Sequence, residues 1–329
     1  MASTVGLGDH HSASIINGLP YLCRTSRLRV SKITHAVKAA FNYCGLEVAR
    51  YRPDRPALAK QNRLELDYDV RIAPRWGYEL EANKHIERAI AAHRALYAQT
   101  LNGFLRYGRA ISAIPGDSAA DDPVSPQWNN PFFSGLDAAS LVCFVLEARP
   151  RVYFEIGSGN STKFARHAIK FDGLRTKVIS VDPQPRAEID ALCDEVYRMR
   201  LEDSNHQIFS VIQAGDILFF DGSHRVFTNS DVAVFFLEIL PSLPPGILVH
   251  IHDIFLPLDY PPEWNDRFYS EQYILAAMLL CRDRPFDIVL PNCYVTSDPA
   301  LFRSAAMLMS GTGIDPAPAV SFWIQTRTS

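Results

Sequence analysis

Two short stretches hold the side chains with the most chemistry in them. Asp221-Gly222-Ser223-His224 follows the apolar run Ile217–Phe220, and His252-Asp253 closes the run that opens at Gly246. Each run reads as a strand of a parallel sheet, and ligands in such sheets sit at the carboxyl ends of the strands. If the two strands are neighbours, Asp221 meets His252 and Asp253 at one sheet edge. Carboxylates and imidazoles gathered there cost free energy unless a cation or a substrate proton compensates them. A divalent metal on Asp221, His252 and Asp253, with positions open for a substrate hydroxyl, is one solution. His224 is then placed to take the hydroxyl's proton as general base.

Each residue has an ordinary explanation when taken singly. A strand-end Asp is commonly a turn or cap residue, and a lone His is commonly a packing residue. Their convergence is what points to a catalytic role for Asp221, His224 and Asp253. His250 lies on the same strand face as His252, one layer deeper, and reads as a buried hydrogen-bonding residue.

An earlier strand, expected over 152–157, runs into the turn Gly157-Ser158-Gly159-Asn160-Ser161-Thr162 and then a helical pattern. Glycines at 157 and 159 let the backbone turn sharply and approach a ligand closely, while the helix start offers unpaired N–H groups. Glu155, expected at the mouth of this loop, suits a ligand bearing an ammonium group better than one bearing a pyrophosphate. A dinucleotide fingerprint would want a third glycine where Thr162 stands. Asp182 ends the next strand in Ser-Val-Asp-Pro, where an acid can accept both hydroxyls of a ribose; the competing explanation is a cap for the following helix.

The Glu-x-Gly-x-Gly form resembles the first motif of the class I S-adenosylmethionine-dependent methyltransferases. With Ser-Val-Asp-Pro, Asp-Gly-Ser-His and His-Asp-Ile-Phe, the likeness covers residues 127 to 326, in the branch of small-molecule and sugar O-methyltransferases. The resemblance implies S-adenosylmethionine as cofactor, held by Glu155, Gly157, Ser158, Gly159, Asp182 and Asp221, with Glu202 and Asp203 bordering the adenine. It also implies a divalent metal such as Mg2+. His252 stands where those enzymes tend to have an acid, which weakens the magnesium reading and leaves open a softer metal, or none.

These residues need a scaffold, and from residue 151 strand and helix patterns alternate. The expected strands are 152–157, 177–182, 195–200, 216–221, 246–252, 285–290 and 321–326. The expected helices are 161–171, 186–193, 205–213, 228–240 and 269–282. The fold class is thus α/β, a doubly wound, seven-stranded, mostly parallel sheet of Rossmann-like methyltransferase type, its last strand antiparallel. A helix from Ser134 to about Ala148 precedes the first strand. Trp128-Asn129-Asn130-Pro131-Phe132-Phe133 could fold over the cofactor loop as a lid. Phe255, Tyr260 and Trp264 could form an apolar wall for the acceptor, with Arg267, Tyr269, Glu271 and Gln272 adding polar contacts.

Residues 1–126 read as a mainly helical extension and 127–329 as the catalytic domain, the boundary lying in the Pro- and Gly-punctuated stretch 114–126. Met1–Ala13 reads as disordered. Arg24–Arg63 is rich in Lys and Arg and contains a pattern of amphipathic helix, which is either a solvated face or a peripheral dock for membrane or an acidic partner. Leu80–Leu105 reads as one or two helices with Ile86, Ile90, Leu96, Tyr97, Leu101 and Phe104 on the apolar side.

A net charge of −3 gives no whole-chain case for nucleic acid or anionic membrane. The six cysteines carry no Cys-x-x-Cys pair and no zinc spacing, which fits a reducing cytoplasm. No apolar run approaches the ~20 residues of a membrane span. Two other activities are compatible with parts of the pattern: a nicotinamide-dependent oxidoreductase, and a metal hydrolase built on His250, His252 and Asp253.

Overall fold

The computed structural model describes residues 70–117, 122–185 and 187–327. The chain divides into two units, Met1–Asp69 and Val70–Ser329, and every described residue belongs to the second. The expected disordered start and basic helix lie outside the described residues.

Three helices come first: α1 (Lys84–Ala91), α2 (Arg94–Phe104) and α3 (Gly108–Ser112). Ile86, Ile90, Tyr97, Leu101 and Phe104 are buried as their spacing predicts, whereas Leu96 faces solvent. These side chains join the same core as the sheet; Phe104, for instance, meets Phe144 edge-on with ring centroids 4.8 Å apart. The expected boundary near residue 126 therefore does not separate two cores among the described residues. The 115–129 stretch is instead tied at its ends, Trp128 N–H donating to the Pro115 carbonyl and Asn129 N–H to that of Gly116.

After α4 (Gly135–Ala148) the strands and helices alternate: β1 (Val152–Ile156), α5 (Asn160–Phe171), β2 (Lys177–Val181), β3 (Glu195–Tyr197) and β4 (Ile217–Phe220). There follow α6 (Asp231–Val234), β5 (Leu248–Ile251), α7 (Glu271–Leu280), β6 (Phe286–Pro291), α8 (Asn292–Ser297), α9 (Pro299–Met309) and β7 (Phe322–Thr326). The strand order is β3-β2-β1-β4-β5-β7-β6, parallel except for β7, which inserts antiparallel between β5 and β6. All five residues of β1 and all four of β4 and β5 are buried, as befits strands covered by helices on both faces.

Several expected helices are shorter than their patterns suggest. Residues 186–193 and 205–213 contain only 3-10 turns, Asp190–Leu192 and His206–Val211. Residues 228–240 form α6 and then a wider π turn over Phe235–Ile239, which lays Phe235 flat on Phe220, ring centroids 3.9 Å apart. Helices α8 and α9 between β6 and β7 were not anticipated as elements.

Candidate active site

Register brings the functional residues together. Phe220 on β4 pairs with Ile251 on β5, so Asp221 emerges beside His252 and Asp253 at one edge. Backbone bonds continue past the strand ends: His252 N–H donates to the Phe220 carbonyl at 3.0 Å and Asp221 N–H to that of Ile156 at 2.9 Å. Two tip residues, His224 and Asp253, have left-handed backbone, φ 61° and 57°. Such strain in non-glycine residues persists only where surroundings hold it, and it gathers at functional sites.

Asp221, His252 and Asp253 can each offer one ligand atom, all lying within 4.8 Å of one another. His252 is 5% exposed, and neither ring nitrogen has a hydrogen-bond partner among the described residues. Its Nδ1 lies 3.7 Å from Asp221 Oδ2 and 3.6 Å from Asp253 Oδ1. A buried imidazole left unsatisfied between two carboxylates suits a cation held among the three. The donor set fits a divalent metal.

His224 is placed differently from the expectation of an open base. It is 2% exposed, and both nitrogens face carboxylates. Nδ1 lies 2.7 Å from Glu271 Oε2, and Nε2 lies 3.2 Å from Asp221 Oδ1 and 3.3 Å from Asp253 Oδ2. Burial pushes the His224 imidazole down, but Asp221 and Glu271 outweigh it and hold the ring well above its ordinary value. So placed, His224 bridges three acids, an arrangement that favours the charged imidazolium. Burial also pushes Glu271 up to about 7, against the pull of His224, and raises Asp253 against His252 and His224. His252, pushed down by burial, is carried by Asp253, Asp137 and Asp221 to about 9.

The glycine turn is built as its composition predicts. Gly157 has φ +80°, and a Cβ there would stand 1.8 Å from the Asp221 carbonyl oxygen, so only glycine lets the tips of β1 and β4 come this close. Gly159 is extended, and a Cβ on it would meet nothing within 4 Å. Ser158 N–H donates to Asp182 Oδ2 at 2.7 Å and Gln184 N–H to Oδ1 at 2.7 Å, so the Asp182 carboxylate links the two loops. It caps no helix, because only a turn follows it.

Glu155 is not at the mouth of the loop. It is fully buried, accepting the Tyr153 hydroxyl at 3.0 Å and the Thr162 hydroxyl on its other oxygen. Thr162, standing where a dinucleotide loop would want glycine, therefore fastens α5 to the strand. Burial raises the Glu155 carboxyl to about 7 against the hydroxyls of Ser161, Thr162 and Tyr153.

Two cavities meet at these tips. One, of about 400 Å3, is lined by Gly157, Ser158, Asp182, Glu202, Asp221 and Asp231 among others. The other, of about 280 Å3, runs past Ser158, Gly159, Lys163 and Asp221 beneath Asn130, Pro131, Phe132 and Phe133. The Trp-Asn-Asn-Pro-Phe-Phe segment thus walls the second cavity, pinned by Asn160 Nδ2 donating to Asn130 Oδ1 at 3.0 Å. Glu202 lines the first cavity; Asp203 does not, its carboxylate taking Arg200 Nε at 2.8 Å on the surface. Larger cavities exist away from the strand tips, including one of about 740 Å3 between α2, α4 and β6.

His250 belongs to neither site. It is fully buried, stacked 4.1 Å from Trp323 and edge-on to Phe219 at 4.5 Å, with both nitrogens lacking hydrogen-bond partners. Aromatic rings enclose it, and the described residues give the hydrogen-bonding role expected of it no partner. Phe255, Tyr260 and Trp264 do form one aromatic cluster, joined to His224 through Tyr269 at 4.6 Å.

Sequence reasoning missed two acids. Asp231 receives the Ser223 N–H and hydroxyl, both at 2.6 Å, and so shapes the Asp221–His224 turn. Asp137, in the first turn of α4, has its Oδ2 3.6 Å from His252 Nε2. A signal existed for Asp137: it is the one charged residue in the buried stretch from Gly135 to Leu146. Glu271 was expected only as a polar contact for the acceptor.

Residues 154–254 match the model of a family described as a methyltransferase domain. Over that segment the chain is similar to methyltransferase domains, and the sheet that carries it is of the Rossmann-like methyltransferase type. The matched segment runs from within β1 to just past Asp253 and contains every residue named from the sequence for cofactor, metal or catalysis, but not the acceptor wall from Phe255 onward. No curated protein matches the sequence. Similar solved structures include the O-methyltransferase from Bacillus cereus in complex with SAH, 15% identical, covering 74% of this chain and 100% of that chain at a TM-score of 0.33. The SAH-bound Podospora anserina methyltransferase PaMTH1 is 13% identical, with 77% and 100% covered and a TM-score of 0.36. The plantazolicin methyltransferase BpumL, in complex with a triazolic desmethylPZN analog and SAH, is 13% identical, with 74% and 97% covered and a TM-score of 0.38. Among the described residues no helix is long and apolar enough to cross a membrane.

Proposed function

We propose that the domain transfers a methyl group from S-adenosylmethionine to a hydroxyl oxygen of a small molecule or glycan sugar, with a divalent metal held by Asp221, His252 and Asp253. The observation that carries this reading is the double membership of Asp221, which lines both cavities at the strand tips and belongs to the metal-capable trio. A hydroxyl held at the trio would lie next to the cofactor cleft.

S-adenosylmethionine, when bound, supplies a methyl group on a sulfonium that is already a good leaving group, so the protein's work is chiefly positioning. Asp182, whose oxygens each already take one backbone N–H, keeps lone pairs for the ribose hydroxyls. Glu202 borders the adenosine end. Gly159 leaves room for the methionine end, beside the start of α5 and Lys163. Glu155 supports the loop through Thr162 and Tyr153 and does not touch the ligand.

The metal would polarise the acceptor hydroxyl and lower its pKa. His224 holds Asp221 and Asp253 in place, and the released proton enters the coupled cluster of Asp253, His224 and Glu271. Imidazole among the ligands favours Mn2+, Co2+ or Zn2+ over Mg2+.

The test is calorimetry with S-adenosylhomocysteine and NAD, then methyl transfer to polyhydroxylated acceptors with and without chelator. Binding of NAD alone would reject the reading. Transfer insensitive to thorough metal removal would reject the metal but leave the transferase.

A further inference from the structure

We infer that Asp137 is a positioning residue that fixes the ring state of His252, turning its Nδ1 lone pair toward the gap between Asp221 and Asp253 and so completing a transition-metal site. The inference rests on the metal reading above and adds a residue outside the strand tips and outside the family-matched segment.

Asp137 is anchored more firmly than a side chain that merely fills space. Its Oδ1 accepts Ser321 N–H at 2.8 Å and Asn292 Nδ2 at 2.9 Å, and its Oδ2 accepts Val320 N–H at 2.8 Å. Three donors from the segment before β7 and from α8 thus fix the carboxylate from both sides. The residue is 3% exposed. A buried acid already satisfied this fully needs no imidazole for its own sake, yet Oδ2 stands 3.6 Å from His252 Nε2. Phe133 packs against the His252 ring at 5.2 Å between centroids and limits its rotation.

The two ring nitrogens of His252 therefore see different surroundings. Nε2 faces one immobilised carboxylate, 3.6 Å away; Nδ1 faces two, Asp221 Oδ2 at 3.7 Å and Asp253 Oδ1 at 3.6 Å. A divalent ion on Nδ1 replaces that nitrogen's proton and leaves the other on Nε2, facing the anchored Asp137 carboxylate. Nδ1 is the ligand atom because it is the nitrogen pointed where Asp221 and Asp253 converge. A carboxylate behind a histidine, with a metal in front of it, is a recurrent way to fix a ligand's tautomer and raise its basicity.

The experiment is Mn2+ and Zn2+ titration of wild type, Asp137→Asn and His252→Asn, with melting curves in metal-free buffer. Asp137→Asn keeps the side chain's shape, so a folded variant that binds Mn2+ about ten- to a hundredfold more weakly is the expected result. A folded Asp137→Asn that binds as tightly as wild type overturns the inference while leaving the metal reading intact. A wild type that takes up neither ion overturns the metal reading, and the inference with it. If Asp137→Asn does not fold, long-range 1H–15N spectra of histidine-labelled wild type decide, with the His252 resonance assigned through His252→Asn. After Zn2+ is added, a proton on Nε2 with Nδ1 metal-bound supports the role; Nε2 metal-bound with the proton on Nδ1 overturns it.

Discussion

Alanine at each of the two loop glycines separates the turn's architecture from its ligand. At Gly157 the added methyl would stand 1.8 Å from the Asp221 carbonyl oxygen on a backbone of φ +80°. Left-handed backbone costs a non-glycine residue roughly 1–2 kcal/mol. The clash is with backbone and not a flexible side chain, so β1 and β4 must part by ~1 Å or more to reach ordinary contact, an overpacking cost of about 1–3 kcal/mol. Gly157→Ala should therefore lose about 2–5 kcal/mol in urea denaturation, a large share of the ~5–15 kcal/mol typical of a domain. Gly159→Ala has no neighbour within 4 Å and an extended φ of 172°, so its stability should stay within ~0.5 kcal/mol of wild type. Its methyl enters space the cofactor needs, and calorimetry should show S-adenosylhomocysteine affinity falling about tenfold, ~1.4 kcal/mol. Wild-type stability in Gly157→Ala would refute the close approach of the two strand tips. Wild-type affinity in a folded Gly159→Ala would refute the path assigned to the ligand.

Asp182→Ala removes both the ribose acceptor and the acceptor for Ser158 N–H, so cofactor affinity should drop at least about tenfold; unchanged affinity would remove the ribose assignment. His224→Ala strips three acids of their shared partner and should destabilise the metal-free protein by about 3–5 kcal/mol, with Mn2+ restoring part of the loss. A loss untouched by metal, read by thermal melts, would mean the ion and the imidazole do not serve the same carboxylates. Burial raises the Glu155 carboxyl from its ordinary 4.5 to about 7, so the folded state favours its protonated form. Its contribution to stability is whole below pH ~4.5 and is lost as pH rises through about 7, up to ~3 kcal/mol in all. Glu155→Gln should abolish that decline, and parallel melting profiles across this window in wild type and variant would show the group ionises freely.

The ends of strands and their cargo were legible because they depend on short-range pattern. Val152–Ile156 and Leu248–Ile251 are apolar runs with polar residues just past them, and a parallel sheet puts such residues at one edge whatever the helices do. Helices were read less well. Residues 186–193 have helical spacing but settle into a 3-10 turn, and Phe235 sits in a π turn because stacking on Phe220 outweighs regular helix geometry. Pro and Gly near residue 126 mark a loop, but not whether the helices before it bury their apolar faces in the same core as the sheet beyond it, as they do here.

Charge placement shows the same division. That Asp221, His252 and Asp253 would converge followed from strand adjacency, which local pattern can suggest. That His224 would be sealed between Asp221, Asp253 and Glu271, that Glu155 would sit beneath its loop, and that Asp137 would stand behind His252 did not. The sequence alone determined which groups could do chemistry and at which strand ends they emerge, since side-chain type and strand period are properties of a few neighbouring residues. Only the tertiary structure decided which nitrogen faces which carboxylate and how much water each one keeps. Those depend on contacts between residues on different elements of the chain, such as His224 with Glu271 and Asp137 with His252, and on them rests whether a histidine is a base, a bridge or a metal ligand.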